Sequence, residues 1–166
     1  MEKEHPFPPL YDAQSRILIL GTLPSIESTK QGFYYMHPQN RFWKLLSRIY
    51  KEDVYHMNIE EKKAFLLKHH LALYDVIQSC EITNSSDASI KNPIGTNIAA
   101  LLKKMPQLYR IILNGKTAYR FFIKKYPNLK EYSICLPSTS SANASVSLDD
   151  LEKIWSKPLC EEEKNI

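Results

Sequence analysis

A chain of 166 residues, 43% hydrophobic and 24% charged, is long enough to bury a core of its own, which excludes a disordered polypeptide and makes disulfide or metal staples unnecessary. The formal charge of +4, partly masked by the acidic tail CEEEKNI, is compatible with a nucleic-acid partner without selecting one. Three scattered cysteines (Cys80, Cys135, Cys160), no apolar leader in MEKEHPFPPL and no apolar run near the ~20 residues of a membrane span point to a reduced, intracellular protein.

The first apolar run, RILIL at 16–20, is continuous rather than alternating, the pattern of a strand covered on both faces. It runs into GTLPS at 21–25, where Gly21 and Pro24 suit a tight turn with outward-facing backbone N–H groups. No Gly-Lys pair follows, so this is not the phosphate loop of a nucleotide hydrolase. GFYYMHPQNRFW at 32–43 gathers five aromatics with His, Gln, Asn and Arg, too polar for a core strand and too aromatic for a solvated loop. Such a segment can wall a pocket for something flat with polar edges, such as a nucleobase. Apolar residues at helical spacing predict helices after Asn40 and over 59–70, with His69 and His70 on a charged outer face.

LALYDVI at 71–77 is the second buried strand. A helix over 97–104, a strand RIILN at 110–114, a helix over 116–126 and a strand YSICL at 132–136 follow. LPSTSSANAS at 136–145 carries hydroxyls and amides at a density that can clasp a phosphodiester. Ser147 and Asp150 form a capping box that opens a last helix through Trp155. Strands alternating with helices predict a three-layer α/β/α sandwich around a four-stranded parallel sheet. Ligands of such sheets bind beyond the carboxyl ends of the strands, here 21–25, 78–84, 114–115 and 137–143. The chain reads as a single domain over 1–166, with a core of about 14–157 flanked by a short N-terminal arm and the acidic tail.

Taken in order, GTLPS, GFYYMHPQNRFWKLL, LYDVIQSCEITNSSDASIKN, a strand ending in NG and LPSTSSANAS resemble the uracil-DNA glycosylase superfamily, most closely its sixth family, the hypoxanthine-DNA (deoxyinosine) glycosylases. The resemblance implies a metal-free, cofactor-free monofunctional glycosylase of base excision repair. It would act as a monomer in the cytoplasm, or in the nucleus of a eukaryote, on DNA containing deaminated bases. The superfamily's first motif often carries an acid or amide that handles water; here the matching residue is Leu23. Its second motif often begins His-Pro-Ser; here it reads Leu136-Pro137-Ser138. Both departures fit the hypoxanthine family, in which the Asn of HPQN, here Asn40, is the catalytic side chain. The resemblance further implies a base pocket of Gly21, Thr22, Leu23, Tyr35 and Gln39, with Tyr35 stacking on the flipped base. It places Pro137, Ser138, Thr139, Ser140, Ala142 and Asn143 on DNA.

N-glycosidic cleavage needs no covalent nucleophile: orienting water, fixing the sugar and stabilising the departing base suffice. Glu27 and Asp87 match no two-carboxylate motif. Hypoxanthine presents an acceptor O6 beside a donor N1–H, and uracil presents the same pair. An amide such as Asn40 reads either arrangement unless a neighbour pins it. Three alternatives therefore stay open: a uracil or mismatch glycosylase, a catalytically silent nucleic-acid-binding domain of the same fold, and a metal-dependent hydrolase of free nucleotides.

Overall fold

The computed structural model describes residues 2–81 and 91–160. In chain order its elements are β1 (Glu2–Glu4), β2 (Ile17–Gly21), α1 (Ile26–Gln31), α2 (Phe42–Tyr50), α3 (Ile59–Lys68), β3 (Leu71–Asp75), β4 (Ile77–Glu81), β5 (Lys91–Gly95), α4 (Ile98–Leu102), β6 (Arg110–Asn114), α5 (Lys116–Lys125), a 3-10 helix (Pro127–Tyr132), β7 (Ser133–Leu136) and α6 (Leu148–Cys160).

The central sheet has the order β3-β2-β6-β7, all parallel, as the continuous apolar runs predict. Because strand side chains alternate, β2 divides its residues between two cores. Ile17 and Ile19, with Leu71, Leu73 and Ile112, pack under α2, α3 and α6 through Phe42, Leu46, Phe65, Leu66, Leu151 and Trp155. Leu18 and Leu20, with Ala72, Ile111 and Leu113, pack under α4 and α5 through Ile98, Leu101, Ala118 and Phe122. Two helical layers thus cover a sheet buried on both faces, the expected three-layer sandwich. Leu18 and Leu20 are fully buried, so truncating either to Ala costs roughly 2–5 kcal/mol.

Three differences from the sequence reading matter. The second strand stops at Asp75 rather than continuing to 77. Val76 N–H bonds the Gly21 carbonyl at 2.8 Å, and the chain then enters a separate antiparallel sheet of order β1-β4-β5. Of the expected strand end at 78–84, residues 82–84 lie outside the described residues, as does Asp87. Second, the short α1 follows the first turn, capped by Ser25, whose Oγ accepts from Ser28 N at 3.0 Å. Third, His69 and His70 are half-buried rather than on an outer face. The His69 ring packs at 4.4 Å from Tyr50 and 4.6 Å from Phe65, because helix α3 ends there and the chain must turn back under it into β3. The predicted capping box holds: Asp150 N donates to Ser147 Oγ and Ser147 N to Asp150 Oδ2. Among the described residues no helix is long and apolar enough to cross a membrane.

Candidate functional site

The carboxyl ends of all four parallel strands open onto one cleft of about 840 Å³. That lies within the range of small-molecule and cofactor sites. Its floor is set by a close approach at Gly21. A Cβ at that position would stand 2.6 Å from Asp75 Oδ1 and 2.9 Å from the Tyr35 hydroxyl, so only glycine leaves both groups in place. Gly115, at φ 103°, is the second obligatory glycine: it turns β6 into α5 in a backbone region that side chains rarely adopt.

The aromatic segment divides its labour. Phe33 and Tyr34 are buried in the core. Tyr34 donates to the Pro8 carbonyl, and Trp43 Nε1 donates to the Tyr34 carbonyl. Met36 N donates to the buried Ser28 Oγ at 2.8 Å, which ties the segment to α1. Tyr35 alone of the three consecutive aromatics adopts a left-handed backbone, φ 57°, a conformation that costs a non-glycine residue roughly 1 kcal/mol or more. This reversal turns its ring into the cleft, packed on Phe42 with centroids 4.2 Å apart. Burial, reinforced by the charge of Asp75, pushes the Tyr35 hydroxyl far above the ordinary tyrosine range; the Asn114 side chain offsets this only in part and forms no full hydrogen bond with it. The group stays neutral.

Asn40 sits at the entry to α2, where its two amide atoms face different partners. Its Oδ1 accepts from the N–H of Phe42, the first residue of α2, at 3.0 Å, and from Thr139 Oγ1 at 2.8 Å. Thr139 is fixed in turn by Asn114: Asn114 Nδ2 donates to Thr139 Oγ1 at 3.1 Å, and Thr139 N donates to Asn114 Oδ1 at 3.0 Å. Two donors on Oδ1 prevent the amide from turning over. Asn40 therefore lines the cleft with its Nδ2 as a fixed donor, the pinning that base discrimination demands.

The loop after β7 is held from beneath by Arg41. Its guanidinium donates to the carbonyls of Ser140 (3.0 Å), Asn143 (3.1 Å), Val146 and Thr139, and its backbone N donates to the Thr139 carbonyl at 3.0 Å. The planar fork of arginine suits several converging carbonyls. Ser138 Oγ accepts from Ser140 N and Ser140 Oγ from Ala142 N, which leaves each hydroxyl proton outside the loop's own network. Asn143 Nδ2 donates to the Ser138 carbonyl. Lys116, at the start of α5, is the cation of the cleft. Cys135 also lines it, its thiol raised by burial with Lys116 acting the other way.

Most expected residues do meet here. Gly21, Thr22, Leu23, Tyr35 and Asn40 line one side, and Pro137, Ser138, Ser140, Ala142 and Asn143 the other. Two expectations need correction. Gln39 is exposed and does not line the cleft; its backbone N bonds His37 Nδ1, so the Pro38 turn carries it outward. Thr139 is fully buried and its hydroxyl already serves Asn40 and Asn114, so it positions Asn40 and has no hydroxyl to offer a phosphate. Asn114 lies at a strand end already expected to face the ligand, whereas Asp75 was hidden inside the run 71–77. A polar residue at the last position of a parallel strand was the available signal, since such positions face the ligand crevice. Among the described residues no group of three His, Cys, Asp or Glu side chains is placed to hold a metal ion.

A family model, the Uracil DNA glycosylase superfamily, matches residues 8–157. A protein of Methanosarcina acetivorans named Hypoxanthine DNA glycosylase is 33% identical over 144 residues, 85% of this chain and 89% of its own length. A protein of the same name from Methanosarcina barkeri is 34% identical over 114 residues, 69% of this chain and 72% of its own. The solution NMR structure of a candidate uracil DNA glycosylase from Methanosarcina acetivorans superposes with a TM-score of 0.79 at 30% identity, covering 94% of this chain and 98% of the other.

Proposed function

Because the chain belongs to the uracil DNA glycosylase superfamily and is a DNA glycosylase, we propose that its substrate is deaminated DNA, chiefly hypoxanthine, which it releases by metal-free hydrolysis in base excision repair. The observation that carries this reading is the pinned amide of Asn40, a donor fixed toward the cleft by Phe42 N and Thr139 Oγ1.

The target base leaves the duplex and enters the cleft, where the Tyr35 ring supplies a stacking face. Asn40 Nδ2 donates to O6 of hypoxanthine. As the glycosidic bond lengthens, negative charge gathers on the base and this donor bond strengthens, so Asn40 acts more on the transition state than on the ground state. Adenine presents an amino group at the same point, donor against donor, and is rejected. Leu23 carries no group for water, so the reaction rests on the departing base and on water admitted at the cleft mouth. The hydroxyl protons of Ser138 and Ser140 and the charge of Lys116 take the phosphates that flank the flipped nucleotide. Ala142 is too small for a wedge, so duplex opening relies on the weakness of an inosine mispair. No Lys lies in GTLPS, GFYYMHPQNRFW or LPSTSSANAS, and a Schiff-base lyase step is not part of this scheme.

One observation favours a second substrate: a cleft of about 840 Å³ does not exclude a pyrimidine by size, and uracil O4 fits the same donor. Single-turnover assays on duplexes carrying hypoxanthine, uracil, xanthine or adenine at one position test the proposal. Hypoxanthine is expected to be released fastest and adenine not at all. Faster release of uracil than of hypoxanthine would replace the proposal with the second reading.

A further inference from the structure

We propose that the outer face of α5 is a track for the backbone of undamaged duplex DNA, with Lys116, Arg120 and Lys124 as its phosphate contacts; the proposal rests on the glycosylase reading above, though not on which base is released.

Charge is spread unevenly along the chain. From Lys91 to Lys130 it carries nine Lys and Arg residues and no Asp or Glu, which leaves thirteen cations against eighteen acidic residues elsewhere. This run supplies α4 and α5, the helices that cover one face of the sheet. The opposite layer is mixed in sign: Arg48 of α2 pairs with Asp149 and Glu152 of α6, and Lys63 of α3 with Glu60. Helix α5 buries Ala118 and Phe122 against the sheet. Lys116, Arg120 and Lys124 stand at i, i+4 and i+8, in one row on its exposed side. The row is about 12 Å long at 1.5 Å per residue. It starts in the cleft, which Lys116 lines, and leads away from it. None of the three forms an ion pair among the described residues.

Helix energetics alone disfavour this row. Like charges at i, i+4 repel, and both successive pairs here are cationic. A cation in the first turn opposes the helix dipole, and α5 has no acidic residue there to offset Lys116. The dipole accounts for Lys124 and Lys125 in the last turn but not for Lys116 or Arg120. A polyanion laid along the row removes the repulsion. Duplex DNA is such a polyanion: it carries one charge per about 1.7 Å of axis, so about 12 Å of it brings roughly seven phosphates past the row. Contacts to phosphates carry no sequence information, which suits a protein that passes over undamaged DNA before it meets a damaged base. Lys124 and Lys125 also border a smaller groove of about 360 Å³, lined by Phe121 and Tyr126, with room for an acidic peptide. The continuity of the row with the cleft favours DNA instead.

Two measurements use an undamaged duplex as the probe. In the first, the wild-type protein is labelled with an amine-acylating reagent with and without the duplex, and each lysine is read by mass. Lys116 and Lys124 should be protected, whereas Lys51 at the end of α2 and Lys153 of α6 should label as before. In the second, the dissociation constant is followed against salt. Arg120→Gln with Lys124→Gln should weaken binding at least about tenfold near 0.1 M salt and make the slope of log affinity against log salt shallower by about two, one for each lost phosphate contact. Arg120→Lys with Lys124→Arg should keep the wild-type slope, a rescue that a merely structural role does not predict. Lys51→Gln with Lys153→Gln, the same loss of charge on the other layer, should leave the slope in place. Labelling of Lys124 that the duplex does not change, a wild-type slope in the double glutamine variant, or an equal loss in the control pair would each overturn the proposal. Protection of Lys124 by polyglutamate but not by the duplex would also overturn it, and would assign the face to an acidic protein. The labelling stands without any variant folding. Because the probe holds no damaged base, a failure to release hypoxanthine sinks the proposed function alone, and a failure of these measurements sinks the track alone.

Discussion

Asn40→Asp separates the two roles that share one side chain. The substituted carboxylate keeps an oxygen where Oδ1 accepts from Phe42 N and Thr139 Oγ1, so the bond to the start of α2 and the link to the 138–146 loop survive. A negative charge at the N-terminal end of α2 adds roughly 0.3–1 kcal/mol to stability through the helix dipole. The melting temperature should therefore stay level or rise by a few degrees. The cleft loses its fixed N–H donor and gains a second acceptor. Removing one preorganised donor from a developing anion costs roughly 10²–10³ in rate, and repulsion between the carboxylate and the departing base adds to it. Single-turnover cleavage of a deoxyinosine duplex with enzyme in excess, read after alkaline scission of the abasic strand, isolates the chemical step from product release. The expected result is a loss of at least about a hundredfold with undiminished thermal stability. A variant within about threefold of wild type would refute the reasoning, because it would show that Asn40 serves the fold through Oδ1 and the base not at all.

Further outcomes follow from the same geometry. Tyr35→Ala should reduce single-turnover rate about ten- to a hundredfold through loss of the stacking face, while Tyr35→Phe should be nearly silent, since the hydroxyl makes no full hydrogen bond. If Phe proved as harmful as Ala, the hydroxyl would be the working group. Arg41→Lys keeps the charge but cannot fork to the carbonyls of Thr139, Ser140, Asn143 and Val146, so it should cost about 1–3 kcal/mol in denaturant unfolding and slow turnover together. The pKa of His69 is lowered from its ordinary 6.5 by burial, then by Lys68 and His70, with Glu52 opposing. A depressed folded value means that the unfolded chain binds the proton more readily, so stability is full above about pH 6.5 and is lost as pH falls below it. Thermal melts of His69→Phe should show a flatter acid limb than wild type between about pH 7 and 5.

How much of this could be read from the chain depended on whether a signal was local. The four parallel strands were legible because sheets buried on both faces demand uninterrupted apolar runs, and RILIL and RIILN supply them. LALYDVI misled by being too good a run: Asp75-Val76 breaks the strand where Val76 N turns to the Gly21 carbonyl, and the polar end was read as strand interior. The loops GTLPS and LPSTSSANAS were correctly placed at strand ends, yet composition could not distinguish the Ser138 and Ser140 hydroxyls, left outside the loop's network, from the Thr139 hydroxyl, which is internal. Gln39 and Asn40 are adjacent amides with opposite fates, decided by the turn at Pro38 rather than by residue type. His5 and Asp75 stand 70 positions apart, and no periodicity announces such a contact. The requirement that Asn40 be pinned was legible as chemistry, while the pinning group, a buried threonine on the opposite loop, was visible only in three dimensions.

The most direct measurement incubates excess protein with a duplex carrying a single deoxyinosine in the presence of EDTA, and identifies both products by mass. The account predicts free hypoxanthine and an intact abasic strand in equal amounts, with no adduct trapped by borohydride. No release of hypoxanthine, or release only after a divalent metal is restored, would contradict it.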